Sequence, residues 1–377
     1  MGNTNYQICS RCIMDTTDPD ISFDEKGVCN HCRSYDSMAA GRIIEGEDRD
    51  GRLDHLVNTI KIQGRNKPND CIIGLSGGVD SSYVAYLAKK YGLRPLAIHL
   101  DNGWDSELAV RNIERIVNKL DIELMTHVID WEEFKDLQRS FFKASVVDIE
   151  VLTDHAIFSS IYRIANKRKI RYFLIGSNMT TEFIMPAGWN FRKNDSRNIR
   201  AIQKRFGTKK IDSFPSSSML TFNYYRYFKG IRAIDLLDFV QYDKEEAMNI
   251  LKKELDWQEY GGKHYESIFT RFYQGYFLPV KFNIDKRKAH YSTLICSGQL
   301  TRARALELIR EDPYPKEKMA EDKAYVLKKL GFSYEEFDEI LRLPVRAHAY
   351  YPSDEIIFSF TARLKRIKNF FSGGNFN

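Results

Sequence analysis

Ile72-Ile73-Gly74-Leu75-Ser76-Gly77-Gly78-Val79-Asp80-Ser81-Ser82 decides how this chain is read. An apolar run breaks at Ser-Gly-Gly and resumes as a helix-like pattern over 82–91, the signature of a strand, a tight turn and a helix start. Paired glycines let the backbone bend until successive N–H groups converge, and those donors add to the positive end of the helix dipole. The result is an anion site that suits phosphate. No lysine follows the glycines, so the stretch departs from the P-loop, G-x-x-x-x-G-K-[ST]. What remains is a cradle of N–H and hydroxyl donors for departing pyrophosphate, with a plain Gly-rich βα turn as the alternative.

Ser-Gly-Gly-x-Asp-Ser after a strand resembles the PP-loop of the ATP pyrophosphatases, which cleave ATP between its α and β phosphates and adenylate a carbonyl, carboxylate or amide oxygen. Around it the pattern alternates: apolar 71–75, helix from 81, apolar 95–100, helix 106–120, apolar 124–129, helices 131–143 and 154–169, apolar 171–175. Strand alternating with helix implies a parallel sheet covered on both faces, with ligands at the carboxyl ends of the strands. An entry helix is expected over 53–62 after a polar link at 40–51, and a further strand within 231–240 after an insertion spanning about 186–229. From 260 the chain turns aromatic and basic, with helical patterns at 301–309 and 322–343 and a frayed tail at 372–377. The fold class is therefore α/β: a parallel-sheet PP-loop domain (53–256), an N-terminal zinc-ribbon module (1–36) and a mainly helical C-terminal region (257–371) that completes the active site.

At 377 residues the chain has room for such a domain and smaller modules. Hydrophobic residues at 43% and charged ones at 29% fit a soluble globular protein, and no apolar run approaches the length of a membrane span. With no secretory h-region after Met1, the expected location is the cytoplasm, without membrane. A net charge of +6 fits RNA, but equally a site for a triphosphate and a nucleotide-linked sugar.

Four of the six cysteines stand as Cys9-x-x-Cys12 and Cys29-x-x-Cys32. Two such knuckles can direct four thiolates at one ion, a closed and hence structural zinc site; disulfides and an iron–sulfur cluster are the competing readings. Cys71 and Cys296 are read as small buried hydrophobes.

Three strand ends carry the candidate chemistry. After the first strand, the Ser76 and Ser81 hydroxyls and the backbone of Gly77, Gly78, Val79 and Ser82 are candidates to hold pyrophosphate. Asp80 is a ligand for Mg²⁺, or merely a helix cap. Asp101 and Asn102 follow the second strand, beside the place where the PP-loop resemblance implies adenine and ribose, and they also suit simple turn shaping. After the fourth, Gly176-Ser177-Asn178 and Glu182 resemble the family's turn facing nucleotide and metal, Glu182 being otherwise a solvated helix-start carboxylate. Asp154 and His155 open a helix, either as a cap with an ordinary imidazole or as a carboxylate and base reaching the acceptor. His264 and Glu266, within the charged stretch 261–267, are candidates for substrate contact. Lys281, Lys286 and Arg287 belong to a basic run that is either a solvated face or a set of cations closing over pyrophosphate.

The whole chain resembles the N-acetyl sugar amidotransferases of bacterial surface-polysaccharide synthesis, the group of the pseudaminic acid and O-antigen acetamidino-sugar enzymes. The resemblance rests on Cys9-Ser-Arg-Cys12-Ile-Met-Asp15, Cys29-Asn-His-Cys32, the Gly74 to Ser82 loop, Gly176-Ser-Asn178, Gly261-Gly-Lys-His-Tyr-Glu-Ser267, and Asp285-Lys-Arg-Lys-Ala-His290 running into Ser297-Gly298-Gln299. It implies ATP-dependent conversion of a sugar acetamido group to an acetamidino group, with ATP, Mg²⁺ and structural Zn²⁺. The sequence has no cysteine on a nucleophile elbow, so ammonia is expected from a separate glutaminase subunit, paired as the resemblance implies with a cyclase-like one. The alternatives are a PP-loop tRNA-thiolating enzyme and a non-enzymatic nucleotide-binding module. The former would need catalytic thiols beside the loop, and nucleic acid is not the expected partner.

Overall fold

The computed structural model of the chain describes residues 6–42, 47–260 and 265–354. Cys71–Gly74 (β1), Pro95–Asp101 (β2), Glu123–Val128 (β3), Tyr172–Ile175 (β4) and Arg232–Asp235 (β5) form one parallel sheet in the order β3-β2-β1-β4-β5. Ile72 pairs with Leu96 on one side and Phe173 on the other, so β1 is the central strand. The chain steps outward from β1 through β2 to β3 and then returns to start again at β4. That reversal puts the crevice for a ligand between the loops after β1 and β4.

Side-chain alternation explains why the strands are apolar throughout. Cys71 and Ile73 of β1, Ala97 of β2 and Leu174 of β4 face one layer, whereas Ile72, Leu96, Ile98 and Phe173 face the other. The first layer is closed by helices α2 (Glu47–Gly64), α3 (Val79–Lys90), α4 (Glu107–Leu120) and α10 (Lys244–Leu255), the second by α6 (Val151–Arg168). Each fully buried isoleucine, leucine or phenylalanine contributes roughly 1.5–3 kcal/mol to this packing. Helix starts follow their caps: Ser106 accepts from the Ala109 amide at 3.2 Å, and Asp130 accepts from Glu133 at 2.8 Å to start α5 (Trp131–Ala144).

The polar link expected at 40–51 is a correction: α1 (Asn30–Arg42) extends past Ala40 and α2 already begins at Glu47. Its few apolar residues hid it. The insertion after the short α7 (Met179–Glu182) contains α8 (Ser196–Phe206) and α9 (Met219–Asn223). The C-terminal region is helical: α11 (Ile268–Phe272) with a π-helical continuation over Tyr273–Phe282, α12 (Lys286–Cys296), α13 (Arg302–Leu308), α14 (Lys316–Leu330) and α15 (Tyr334–Arg342). The four knuckle cysteines, α5, Trp189 and Ile199 of the insertion, and Phe269, Phe277 and Phe337 of the C-terminal helices share one core. The sheet is thus walled on one end by parts distant in sequence. The expected tail at 372–377 lies outside the described residues.

Candidate active site

The loop after β1 is a turn that side chains cannot fill. Gly77 has φ +80°, and a Cβ there would stand 2.5 Å from the Ala109 carbonyl oxygen. Gly78 caps α3 without any side chain, leaving the first turn of α3 to other partners. Ser76 and Ser81 join hydroxyl to hydroxyl at 3.1 Å, and the Ser76 oxygen accepts from the Gly78 amide at 3.3 Å. From far along the chain, the Trp257 indole N–H donates to the Gly77 carbonyl at 2.9 Å, while the Val79 amide donates to the Tyr260 hydroxyl at 3.1 Å. Gly176 lets the end of β4 approach α3, since a Cβ there would be 3.0 Å from the Asp80 backbone.

A loop cavity of about 390 Å³ opens on this turn, lined by Ser76, Gly78, Val79, Asp80 and Ser81, and opposite them by Gly176, Glu182, Lys244, Tyr260 and Glu266. Asp80 accepts from the Tyr242 hydroxyl, and burial first, then the Asp80 charge, holds that phenol well above its usual range. A second cavity of about 430 Å³ lies over the ends of β1 and β2 and includes Asn102, Glu150, Asp154, Lys193, Lys286 and His290. Ser76, Glu182 and Glu266 line both, so the two chambers meet at the loop. On the floor of this strand-end cavity His99 bonds the Leu75 carbonyl at 3.0 Å and Asp105 at 3.2 Å. Burial opposes its charge, but Asp105 outweighs burial and raises the imidazole's pKa. Oxygen donors on Asp80 and Glu182 fit Mg²⁺, which is commonly held by one or two carboxylates plus phosphates.

Several expected site residues have other duties. Ser82 is fully buried behind the loop. Asp101 accepts from the Gly103 amide at 2.8 Å and shapes its turn, whereas Asn102 reaches the strand-end cavity. Asn178 is buried and caps α7, accepting from Thr181 at 2.8 Å. His155 is no free base: its Nδ1 bonds the Lys193 carbonyl at 2.7 Å, and Nε2 accepts from the Ser217 amide at 3.2 Å. Burial lowers its pKa to about 4, and it pins the insertion to α6. Lys281 is corrected as well; its ammonium donates to the carbonyls of Ile340 at 2.7 Å and Leu343 at 2.9 Å, closing the end of α15. The Arg287 guanidinium is taken by Asp285 at 2.7 Å and the Glu311 carbonyl at 2.9 Å. Lys286 lines the strand-end cavity and not the loop cavity. Gly261, Gly262, Lys263 and His264 lie outside the described residues, while Glu266 faces both chambers. The sequence reading missed Trp257, Tyr260, Tyr242, Lys244 and Lys193. A clue existed only for the first two, aromatic residues placed just ahead of the Gly-Gly at 261–262.

The four knuckle cysteines are buried with their sulfurs within 4.8 Å of one another, and they form the one cluster of three or more metal-ligating groups this tight among the described residues. Cys9 and Cys32 sulfurs are 3.9 Å apart, Cys12 and Cys29 3.7 Å. A zinc ion bonded to four thiolates at about 2.3 Å sets its sulfurs about 3.8 Å apart, so the set fits zinc. Cys71 is buried in β1 as expected, but Cys296 is a correction: its sulfur lies 3.7 Å from that of Cys32. Helix α12, which carries Cys296, is also fastened to the knuckles by Lys288 to Asp15 at 2.5 Å and by the Ile13 amide to Ser292 at 3.2 Å. Its other side holds the Glu182 segment, with the Ile184 amide donating to Thr293 at 2.9 Å and Ser297 donating to the Thr180 carbonyl at 2.9 Å.

Two family models match the chain: NAD synthase over residues 53–189, and LPS biosynthesis protein WbpG-like, C-terminal domain, over residues 266–365. The comparison with curated proteins finds no match. Among solved structures, an NH3-dependent NAD synthetase from Campylobacter jejuni is 16% identical over 55% of this chain and 85% of its own, with TM-score 0.30. An NMN synthetase from Francisella tularensis is 16% identical over 61% and 93%, with TM-score 0.29. A predicted tRNA methyltransferase subunit from Methanocaldococcus jannaschii is 15% identical over 48% and 74%, with TM-score 0.27. At scores this low nothing about the present chain follows from these three. No helix among the described residues is long and apolar enough to cross a membrane. The PP-loop sheet of NAD-synthase type marks an ATP-using enzyme of the ligase or synthetase kind. A match to NAD synthase and a match to a WbpG-like C-terminal domain thus stand in one chain, and both support the family that its motifs resemble.

Proposed function

We propose that this chain converts the acetamido group of a nucleotide-linked sugar to an acetamidino group in bacterial LPS biosynthesis, cleaving ATP to AMP and pyrophosphate. One observation carries the reading: the loop cavity and the strand-end cavity share Ser76, Glu182 and Glu266, so a phosphate on the loop faces a second chamber that is walled by the C-terminal domain. The second chamber, at about 430 Å³, has room for a hexose bearing an acetamido arm.

An amide oxygen is a poor leaving group until it is phosphorylated. The acetamido oxygen attacks the α-phosphorus of ATP, the bond to the β-phosphate oxygen breaks, and pyrophosphate leaves from the N–H and hydroxyl donors of Ser76, Gly78, Val79 and Ser81. The O-adenylyl imidate that results takes ammonia at carbon and expels AMP, which carries off the former acetyl oxygen. Mg²⁺ held by Asp80 and Glu182 would supply charge against the phosphates. The protein's own part is to hold the two reactants in line and to keep water from the imidate.

Ammonia has no source within this chain on the reading proposed here. Cys9, Cys12, Cys29 and Cys32 form the buried cluster, Cys296 sits beside it and Cys71 is sealed in β1. A separate glutaminase subunit, with a cyclase-like companion, supplies it. No cysteine lines either chamber, which counts against the tRNA-thiolating alternative. The test is a substrate carrying heavy oxygen in its acetyl carbonyl, supplied with ATP and ammonium. The label must appear in AMP and none in pyrophosphate, with the sugar exchanging one oxygen for one nitrogen. ADP and phosphate as products would end the proposal.

A further inference from the structure

A third cavity, about 340 Å³, lies between the π-helical stretch after α11, helix α12 and residues 308–314. It shares Thr270, Gln274, Lys286 and His290 with the strand-end cavity, and Lys244 with the loop cavity. A cationic side chain therefore stands at each junction of this cavity with the other two, Lys286 towards the strand-end cavity and Lys244 towards the loop cavity. Away from that junction the walls are Tyr265, Tyr291 and Tyr314 with the carboxylates of Glu311 and Asp312.

Two buried groups in this wall are poorly served by the protein itself. Lys286 is 8% exposed, yet among the described residues its nearest anion is Glu150 at 3.8 Å, with the Tyr273 ring centred 5.6 Å away and no hydrogen bond. A buried ammonium without close partners is costly, and an anion at the junction would offset that cost. Tyr314 is 4% exposed and its hydroxyl has no partner among the described residues. Its ring is nevertheless fixed: Gly275 makes room for it, since a Cβ there would meet the ring at 2.4 Å, and Tyr265 packs edge-on at 6.2 Å. The neighbouring guanidiniums are already committed, Arg287 to Asp285 at 2.7 Å and Arg271 to Asp322 at 2.6 Å.

We propose that this outer cavity binds the nucleoside diphosphate carrier of the acceptor sugar, with the Lys286 ammonium on the diphosphate and the Tyr314 hydroxyl on the base. The order of chambers matches the order of groups in such a molecule: sugar over the strand ends, diphosphate at the cationic junction, nucleoside among the tyrosines. Glu311 and Asp312 suit the ribose hydroxyls, which are donors, and tyrosine rings suit the face of a base. Lys286 thereby serves the acceptor and not the leaving pyrophosphate of ATP. The inference rests on the acceptor being nucleotide-linked, as proposed above, but its test does not require turnover.

The experiment is calorimetry on the full, zinc-loaded chain with α,β-methylene-ATP and Mg²⁺ saturating the loop, titrated in turn with UDP, GDP and dTDP. One of these diphosphates is expected to bind once per chain. Lys286→Met should weaken it at least tenfold and Tyr314→Phe three- to tenfold, each leaving the affinity for α,β-methylene-ATP within twofold. Tyr314→Phe removes one unpartnered oxygen and no packing, so it keeps the test open if Lys286→Met fails to fold, which circular dichroism would reveal. Failure of all three diphosphates to bind beside the ATP analogue, or a folded Lys286→Met that loses the analogue as strongly as the diphosphate, overturns the assignment. Tight diphosphate binding without amidine formation from ATP, ammonium and acetamido sugars would instead overturn the proposed reaction and leave the cavity assigned.

Discussion

The two walls of the candidate active site are made of different material. The loop wall is backbone: Gly77, Gly78 and Gly176 are there for what they lack, and Ser76 and Ser81 add short hydroxyls. The C-terminal wall is long side chains, Gln274, Lys286, His290 and Tyr314, carried on α12, the π-helical stretch and the segment ahead of α14. A backbone site is fixed by local conformation, whereas a side-chain site is fixed by whatever holds its helices. The second kind should therefore fail at a distance.

The largest effect should come from the loop. Gly77→Ala puts a β-carbon at positive φ and within 2.5 Å of a backbone oxygen on α4, which cannot move out of the way. Turnover is expected to fall at least a thousandfold, about 4 kcal/mol of barrier, with a lowered melting temperature. Gly78→Ala meets only the far ends of Ser76 and Tyr260 at 3.2 Å, and should mainly raise KM for ATP. Equal damage from both would mean that the turn is not held by the α4 contact. Asp80→Asn, which keeps the shape and removes the charge, should lower pyrophosphate release about a hundredfold with little change in melting temperature.

The C-terminal wall should be broken from the cysteine knuckles. Asp15 is fully buried and accepts from Lys288 on α12 at 2.5 Å, from the Tyr6 hydroxyl at 2.7 Å and from Thr17. Removing one partner of a buried ion pair typically costs 3–5 kcal/mol, so Lys288→Met is expected to destabilise by roughly that amount. Because α12 also grips the Glu182 segment through Thr293 and Ser297, kcat should drop tenfold or more while zinc remains at one per chain. Hydrogen exchange read at 179–184 and 286–296 would show whether the strut loosens. Unchanged protection there would separate the knuckles from the active site.

Sequence reading served these walls unequally, for the same reason. Strand, turn and helix over 71–90 were legible because glycine spacing and apolar periodicity are local. Lys281, Lys286 and Arg287 form one run in sequence, yet they serve a helix end, a cavity junction and a carboxylate. Only packing separates them, since a π-helical turn ends at Phe282 and α12 begins at Lys286, changing the direction of every side chain between. Tyr242, Trp257 and Tyr260 reach the loop from about 160 to 180 residues away, a pairing no motif records.

Acid should act on the scaffold before the loop. His155 bonds the insertion to α6, and His348 accepts from the Asp148 amide at 3.2 Å; burial lowers each from 6.5 to about 4. A histidine with a depressed folded pKa binds fewer protons than its unfolded form, so its share of stability is complete above pH 6.5 and is lost as pH falls towards 4. Each contributes at most about 1.4 kcal/mol per pH unit in that window. Denaturant midpoints should fall from pH 7 to 5, and His155→Gln should flatten the slope by about half. A slope left unchanged by His155→Gln would mean that this imidazole is not held neutral in the fold.

The smallest effect expected is also the finest test of the metal centre. Cys296 brings a fifth sulfur to within 3.7 Å of Cys32, a spacing no different from that between the paired knuckle thiols. Spacing alone would make it a ligand. The tight cluster, however, consists of Cys9, Cys12, Cys29 and Cys32, and zinc in a structural site takes four ligands at tetrahedral angles. A fifth thiolate would add charge to a site already doubly negative with its metal bound, while the Arg11 guanidinium nearby is shared with Asp36 at 2.9 Å. Cys296 is therefore expected to pack against the centre from α12 without joining it. Cys296→Ser should keep one zinc per chain and shift stability by less than about 1 kcal/mol, whereas Cys32→Ser should lose the metal and unfold the knuckles. Loss of zinc from Cys296→Ser with retention in Cys32→Ser would show that α12, and not the second knuckle, supplies the fourth ligand.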